Sequence, residues 1–515
     1  MISLEELRAG VLTGSVDTVI VAMTDMQGRL QGKRLHAQYF LDEVLAHGTE
    51  ACAYLLAVDT EMNTVPGYKI SSWEDGYGDF VLKPDLATLR MVPWQPGTVL
   101  VLADVLSVGE LAPVSVSPRQ VLRSALSAAS ELGWTALAGT ELEFIVFEDS
   151  YEKAWDAGYR GLVPANRYNV DYSVLGTSRV EPLLRDIRNS MAGAGLTVES
   201  AKGECNLGQH EIAFRYDEAL TTADQHVVYK TGAKEIAARH GYSLTFMAKV
   251  NAAEGNSCHI HLSFVGAADG SLVMAGDGEY GLSPVGASVL AGMQAGLRDM
   301  TLLLAPTVNS YKRYVPGSFA PTAVAWGPDN RTCALRLIGH GPSLRVECRV
   351  PGGDVNPYLA VAALVACAID GVQRELPLPD PVTGNAYAVT DIEHVPVSLE
   401  EAAALWSASP LADSAFGADV VDHYANMARV EIAAYQSAVT DWELRRYFER
   451  ILCVSRPEPS SSPARGAGSG WRPRAVSPVR GRTSSPSTST TRPGRRRQRR
   501  PAACTSAPTS RPPST

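Results

Sequence analysis

Six side chains able to hold a divalent cation lie on short stretches that alternate polar and apolar residues: Glu141 and Glu143 in GTELEFIVF, Glu204 and Glu211 in GECNLGQHEIAF, His259 in NSCHIHLSF and Glu347 in SLRVECRV. Alternation with that period marks a strand, on which side chains at i and i+2 face the same way. Glu141/Glu143, His259/His261 and Arg345/Glu347/Arg349 therefore each share a face, while Leu142, Ile260, Val346 and Cys348 turn to the opposite one. A packed core does not hold several unpaired carboxylates, so these strands are expected to line a channel that binds metal and phosphate. Five carboxylates and one imidazole are donors that favour Mg²⁺ or Mn²⁺ over zinc.

Two arginine-rich segments accompany the acids. NSYKRYVPGSFAP carries Arg313 in a loop closed by Pro316-Gly317, and DNRTCALRLIGHGPSLRVECR carries Arg331, Arg336, Arg345 and Arg349. Guanidinium forks fit carboxylates and phosphates, so a metal-bearing channel rimmed by them points to phosphoryl transfer involving an acidic small molecule. Neither a GxxxxGK[ST] loop nor a kinase-type glycine loop is present, and GAGSGW at 466–471 falls in a low-complexity tail. A nucleotide would be held mainly by metals and arginines.

The elements that must position these groups follow from periodicity and punctuation. SVDTVIVAMTD and QGRLQGKRL read as strands, FLDEVLAHG as a helix ending at Gly48, and DFVLKPDLATLRMVP with GTVLVLADV as a second strand group, together a small α+β unit. PRQVLRSALSAASELG begins a helical pattern that leads into the Glu141/Glu143 strand. VEPLLRDIRNSMAGAG, TTADQHVVYKTGAKEIAARHG and GASVLAGMQAGLRDMTLLLAP read as helices alternating with the charged strands, and VEIAAYQSAVTDWELRRYFERI as one last helical stretch. The fold class is α+β with a large, antiparallel-leaning sheet domain.

Composition bounds the rest. With 515 residues, 45% hydrophobic and 20% charged, the chain can bury a large core and is expected to hold two domains and an extension. MISLEELRAG lacks a basic segment followed by an apolar run, so no secretory signal is expected. The longest apolar stretch, YLAVAALVACAI, suits a buried helix better than a membrane span. Eight cysteines without a CxxC pair read as reduced thiols of a cytoplasmic protein. Residues 451–515 hold 13 Arg and one acidic residue, a net of +12, which leaves −21 for residues 1–450 of the overall −9. An acidic body disfavours nucleic acid and suits a cationic ligand. The tail, rich in Pro, Ser, Thr and Arg, lacks the apolar periodicity of a folding segment. His210, His226 and His240 read as surface or helix residues.

These motifs in this order resemble the glutamine synthetase superfamily over roughly residues 15–452: ELEF, the segment at 204–211, HIH, NSYKRxVPG, NRT, RVECR and the ending WELRRYFER all match. The resemblance implies a small N-terminal β-grasp-like domain at 15–110, a catalytic domain at 115–452 whose curved antiparallel sheet lines the channel, and a disordered tail at 453–515. It implies ATP-driven phosphorylation of the γ-carboxylate of glutamate, followed by attack of an amine on the acyl phosphate. Glu143, Glu204 and Glu211 would hold one Mg²⁺ (or Mn²⁺) and Glu141, His259 and Glu347 another, with two or three ions per site. Arg313 and Arg349, with Gly255, would hold glutamate, and Arg331 would stabilise the phosphoryl group in transfer. Arg331, Glu204 and Arg313 would be the catalytic set, and His261, Ser263 and Arg336, with Arg331, would contact ATP. A homo-oligomer, a dodecamer of two hexameric rings, is implied, with no nucleic acid or membrane partner.

Departures from the family pattern narrow the reaction. Ammonia-using members follow VPG with Tyr-Glu-Ala-Pro, whose Glu serves the ammonium, whereas here the segment is Ser318-Phe319-Ala320-Pro321. The Asp-Gly-Ser-Ser signature is replaced by a stretch whose acids include Asp59, Glu61, Glu74 and Asp75, and Glu254-Gly255 stands where relatives have Asn-Gly. Loss of the ammonium acids beside retained metal and phosphoryl groups implies a different nucleophile. The closer resemblance, carried by SSWEDGYGDF, AKGEC, EGNSCHIHLS and VPGSFAPTAVAWG, is to actinobacterial γ-glutamylamide synthetases. Ethanolamine is the expected amine, with Phe319 in its pocket, and polyamines or ammonia are the alternatives. A pseudo-synthetase scaffold, the non-enzymatic alternative, would be expected to have lost donors or arginines.

Overall fold

The computed structural model describes residues 1–451, and the tail expected at 453–515 lies outside the described residues. Met1–Thr440 is one compact unit, and the short helix Asp441–Tyr447 belongs to a second. The chain opens with a helix, Leu4–Thr13, capped by a reciprocal Ser3/Glu6 box and buried through Leu7.

Residues 18–107 build a six-stranded mixed sheet. Thr18–Thr24 pairs antiparallel with Leu30–His36 and parallel with Thr98–Ser107, which in turn pairs antiparallel with Asp79–Pro84 and Arg90–Met91. The turn at its first hairpin is tied by Asp25, whose Oδ1 accepts from Gln27 N and Arg29 N while Oδ2 accepts from Arg29 Nε. Gly28 completes it at φ +77°, where a Cβ would lie 3.1 Å from Asn356 Cα. Asn356 Nδ2 donates to the carbonyls of Asp25 and Met26, so this turn is seated on the N-terminus of the helix Pro357–Gln373. That helix is the YLAVAALVACAI stretch, and nearly every one of its residues is buried. Among the described residues no helix is long and apolar enough to cross a membrane.

The second sheet has nine strands. Its path runs Trp326–Pro328, Leu335–Ile338, Arg345–Cys348, Cys258–Gly266, Trp134–Phe147, Gln209–Phe214, Val198–Gly203, with two short strands also on Trp134–Phe147. Every pairing is antiparallel except Trp326–Pro328 with Leu335–Ile338. Leu142, Ile260, Val346 and Cys348 turn into the core, as alternation requires. A continuous apolar core joins both sheets and the helices Pro118–Glu131, Glu181–Gly193, Ala219–Arg239 and Pro284–Gly296. The six cysteines of the described residues are unpaired.

Two expectations are corrected. The last helical stretch is not continuous, because Ala418–Ser437 ends with Ala438 in an extended conformation and a new helix starts at Asp441. The β-branched pair Val439-Thr440 disfavours a helix there, and Asp441 with Glu443 suits a fresh N-terminus. His210 is neither on the surface nor on a helix: it is buried on the strand Gln209–Phe214, with Nε2 3.0 Å from Asn166 Oδ1. Burial lowers its imidazole to about 4, which keeps the ring neutral.

Candidate active site

Register alone assembles the acids. Glu141 stands opposite His259, Glu143 opposite Glu211, His261 opposite Glu347, and Arg336 also opposite Glu347. The groups run diagonally over one face of the large sheet, from Lys202 and Glu211 at one end to Arg336 at the other. A cavity of about 240 Å³ opens on this face. All six expected metal donors line it, and so do Gly255, Arg313, Phe319, Arg331, Arg336 and Arg349.

The donors fall into two groups. Carboxylate oxygens of Glu143, Glu204 and Glu211 lie within 4.8 Å of one another, and so do ligand atoms of Glu141, His261 and Glu347. His259 Nδ1 is 3.3 Å from both Glu141 Oε2 and Glu347 Oε1 and so belongs beside the second group. Oxygen-rich clusters with one or two imidazoles fit Mg²⁺ or Mn²⁺. His261 is additionally fixed by Arg345, whose Nε donates to Nδ1 at 3.1 Å, leaving Nε2 to donate to Glu141 Oε1 at 2.9 Å.

Cations from the chain itself answer much of the buried charge. Glu347, 1% exposed, receives Arg349 Nη1 at 2.5 Å and Arg336 Nη1 at 2.8 Å. Burial works against its charged form, but His259 and Arg349 outweigh that and keep the carboxyl below its ordinary value. Burial is likewise outweighed at Glu141, by hydrogen bonds from His259 and His261. Glu143 Oε2 accepts from Ser257 N at 2.7 Å and Gln209 Nε2 at 3.0 Å. Glu211 is the exception: burial, reinforced by the charges of Glu141 and Glu143, raises it to about 8 although Lys202 is near.

The arginines are held to different degrees. Arg313 is buried, with Nη1 donating to Val350 O at 2.8 Å and Nη2 to Arg349 O at 3.3 Å. Arg331 is exposed at the cavity rim. Arg336, expected as a nucleotide contact, is paired with Glu347 and with Asp329. His261 and Ser263 line a second cavity of about 480 Å³ together with Arg345, and Glu141 borders both cavities. Phe319 is 54% exposed at φ +58°, and its carbonyl accepts from Arg349 Nη2 at 3.4 Å.

Several lining residues escaped the sequence reading: Asp171, Tyr172, Lys202, Cys205 and Gln209. Lys202 was accessible to it, because it stands two before Glu204 and so shares its face. Asp171 and Tyr172 come from an irregular loop, where no period marks a facing direction.

The chain is similar to several known proteins. The family model described as "Glutamine synthetase, catalytic domain" matches residues 115–447. A γ-glutamylethanolamide synthetase, GlnA4, of Streptomyces coelicolor is 66% identical over 450 residues, covering 87% of this chain and 96% of that protein. A glutamate–isopropylamine ligase of a Pseudomonas species is 38% identical, covering 85% of this chain and 96% of that protein. Among solved structures, a GmaS/ADP complex superimposes with a TM-score of 0.75 at 29% identity, covering 86% of this chain and 99% of that one.

Proposed function

The chain belongs to the glutamine synthetase family, and on that footing we propose that it is an ATP-dependent ligase joining the γ-carboxylate of glutamate to a primary amine, ethanolamine before others. The similarity to a γ-glutamylethanolamide synthetase over nearly that protein's whole length carries the choice of amine. The cavity is consistent with it, since the metal donors and arginines converge while the flap position holds Phe319 where an ammonium-binding carboxylate would be needed.

Glutamate would lie between Gly255 and the guanidinium groups of Arg313 and Arg349, its γ-carboxylate toward Arg331. Attack on the γ-phosphorus of ATP gives an acyl phosphate and ADP; the neutral amine then attacks the acyl carbon and phosphate leaves. Glu143/Glu204/Glu211 and Glu141/His259/Glu347 would hold Mg²⁺ or Mn²⁺, which when bound neutralises phosphate charge during transfer. Arg331 offers its fork to the equatorial oxygens of the migrating group. His261, Ser263 and Arg345 would face the nucleotide from the second cavity. An alkylammonium must lose a proton before it can attack, and Glu204, which the family pattern puts at the amine site, would be the acceptor. A cytoplasmic dodecamer, with a domain boundary at 110–115, completes the proposal.

The test is ATP-dependent phosphate release with glutamate and ammonium, ethanolamine, putrescine or spermine at one pH. Ethanolamine should give the highest kcat/KM. Ammonium equal to or above every organic amine would make the protein an ordinary glutamine synthetase, and a higher value for putrescine or spermine would make it a polyamine ligase.

A further inference from the structure

Lys202 lies inside the carboxylate cluster that would hold a metal ion. Its Nζ contacts Glu204 Oε1 and is 3.7 Å from Glu211 Oε1. The backbone enforces this placement, since Lys202 is the register partner of Glu211 and stands two residues before Glu204 on the same face. The ammonium also lies 5.1 Å from the ring centroid of Tyr172, and Asp171, which lines the same cavity, has a carboxylate oxygen within 4.8 Å of one of Glu204.

Two cations cannot share Glu204 and Glu211 at contact distance without strong repulsion. A lysine is also the one side chain that can leave such a pair cheaply, because a flexible stem carries its compact charge. The ring of Tyr172 and the carboxylate of Asp171 provide a second seat within reach of that stem.

We infer that Lys202 is a built-in competitor for the Glu143/Glu204/Glu211 cluster: it bridges Glu204 and Glu211, and a divalent ion takes its place by displacing it onto Tyr172 and Asp171. The inference rests on the metal assignment proposed above. Its consequence is that this cluster binds metal more weakly than its three carboxylates alone would, and that loading the ion moves a positive charge toward the end of the cavity assigned to the amine.

The experiment is Mn²⁺ binding followed by calorimetry and by the electron paramagnetic resonance of free Mn²⁺, without nucleotide or glutamate, on the wild type, Lys202→Met and Glu143→Ala. Lys202→Met should bind Mn²⁺ at the Glu143-dependent site at least about tenfold more tightly. It should also melt at a lower temperature than the wild type when no metal is added, and recover more on adding Mn²⁺. Equal or weaker Mn²⁺ binding by a folded Lys202→Met would overturn the competitor role while leaving the metal assignment intact. A wild type with no Mn²⁺ site sensitive to Glu143→Ala would overturn the metal assignment, and this inference with it.

Discussion

Gly255 is packed so tightly against the stem of Arg313 that a methyl group on it would lie 2.4 Å from Arg313 Cγ and 2.3 Å from the carbonyl of Ala248. The carbonyl is main chain and cannot swing aside, so the Gly255 backbone must shift away from it and Arg313 must yield as well. That guanidinium has little room, being fixed to the carbonyls of Val350 and Arg349. Gly255→Ala should therefore raise KM for glutamate by an order of magnitude or more, at about 1.4 kcal/mol per tenfold, with a smaller effect on KM for ATP. Steady-state kinetics with each substrate varied in turn checks this. An unchanged KM for glutamate would show that the Gly255–Arg313 contact does not set the binding geometry.

Glu211 couples the cluster to pH. Its carboxyl, at about 8 in the fold, lies above the ordinary value of 4.5, so its contribution to stability is fully present below 4.5 and is lost as pH rises through 8. Glu211→Gln imitates the protonated acid. Without added metal this variant should melt above the wild type at alkaline pH, with the gap closing as pH falls toward 5. Adding Mg²⁺ should reverse the order, because the ion stabilises only a carboxylate and releases its proton on binding. Melting temperatures over a pH series with and without Mg²⁺ decide it; a Gln variant less stable than the wild type in alkaline, metal-free buffer would contradict the assignment.

Arg119, on the helix Pro118–Glu131, ties the first sheet to the helix Ala219–Arg239. It is 5% exposed and bonds Asp224 through Nε and Nη2, Asp104 through Nη1 and Asp85 through Nη2. Arg119→Leu strips the buried Asp224 of its ion pair and leaves it the Tyr358 hydroxyl, while Arg123 still pairs Asp85 and Asp104; the lost buried pair should cost about 3–5 kcal/mol of stability. The urea midpoint measures the loss. Mn²⁺ binding per folded molecule should be preserved, since none of these groups borders the cavity. A loss below about 1 kcal/mol would mean that Asp224 finds another partner or takes up a proton.

How much of this was readable in the sequence depended on regular geometry. The period-two alternation in GTELEFIVF, NSCHIHLSF and SLRVECRV was enough to put Glu141, Glu143, His259 and Glu347 on one face, because a strand allows only two directions. Which strands are neighbours is long-range information that alternation does not carry, so the facing of Glu143 and Glu211, or of His261 and Glu347, became visible only in the fold. Arg119 looked like an ordinary first-turn residue, its three partners being 15, 34 and 105 positions away. His210 belongs to the same class, because period two correctly turns it away from Glu211 but does not say that the opposite face is core. The Ser3/Glu6 capping box of the first helix is local, a Ser followed three residues later by Glu, and so belongs to what the sequence makes legible.

Phe319 offers the sharpest test of the amine. Its loop is held through the main chain: Arg349 donates to Phe319 O, Tyr387 Oη donates to Ala320 O at 3.0 Å, and Ser318 Oγ donates to Val315 O at 2.6 Å. The side chain can therefore be exchanged without releasing the loop. The left-handed backbone at this position costs roughly 1 kcal/mol for any residue other than glycine, so Phe, Ala and Glu start from comparable strain. If the ring walls the pocket for a two-carbon amine, Phe319→Ala should lower kcat/KM for ethanolamine by up to about fifteenfold, the equivalent of two methylenes at roughly 0.8 kcal/mol each, and leave ammonium nearly untouched. Phe319→Glu should do the opposite, adding a carboxylate where an ammonium ion could be held and so raising the ammonium-to-ethanolamine ratio by at least about tenfold. Both ratios come from one phosphate-release assay with matched amine concentrations. If neither variant shifts the ratio by more than about twofold, Phe319 does not contact the amine, and the selectivity must be sought elsewhere on the lining, around Asp171 and Tyr172.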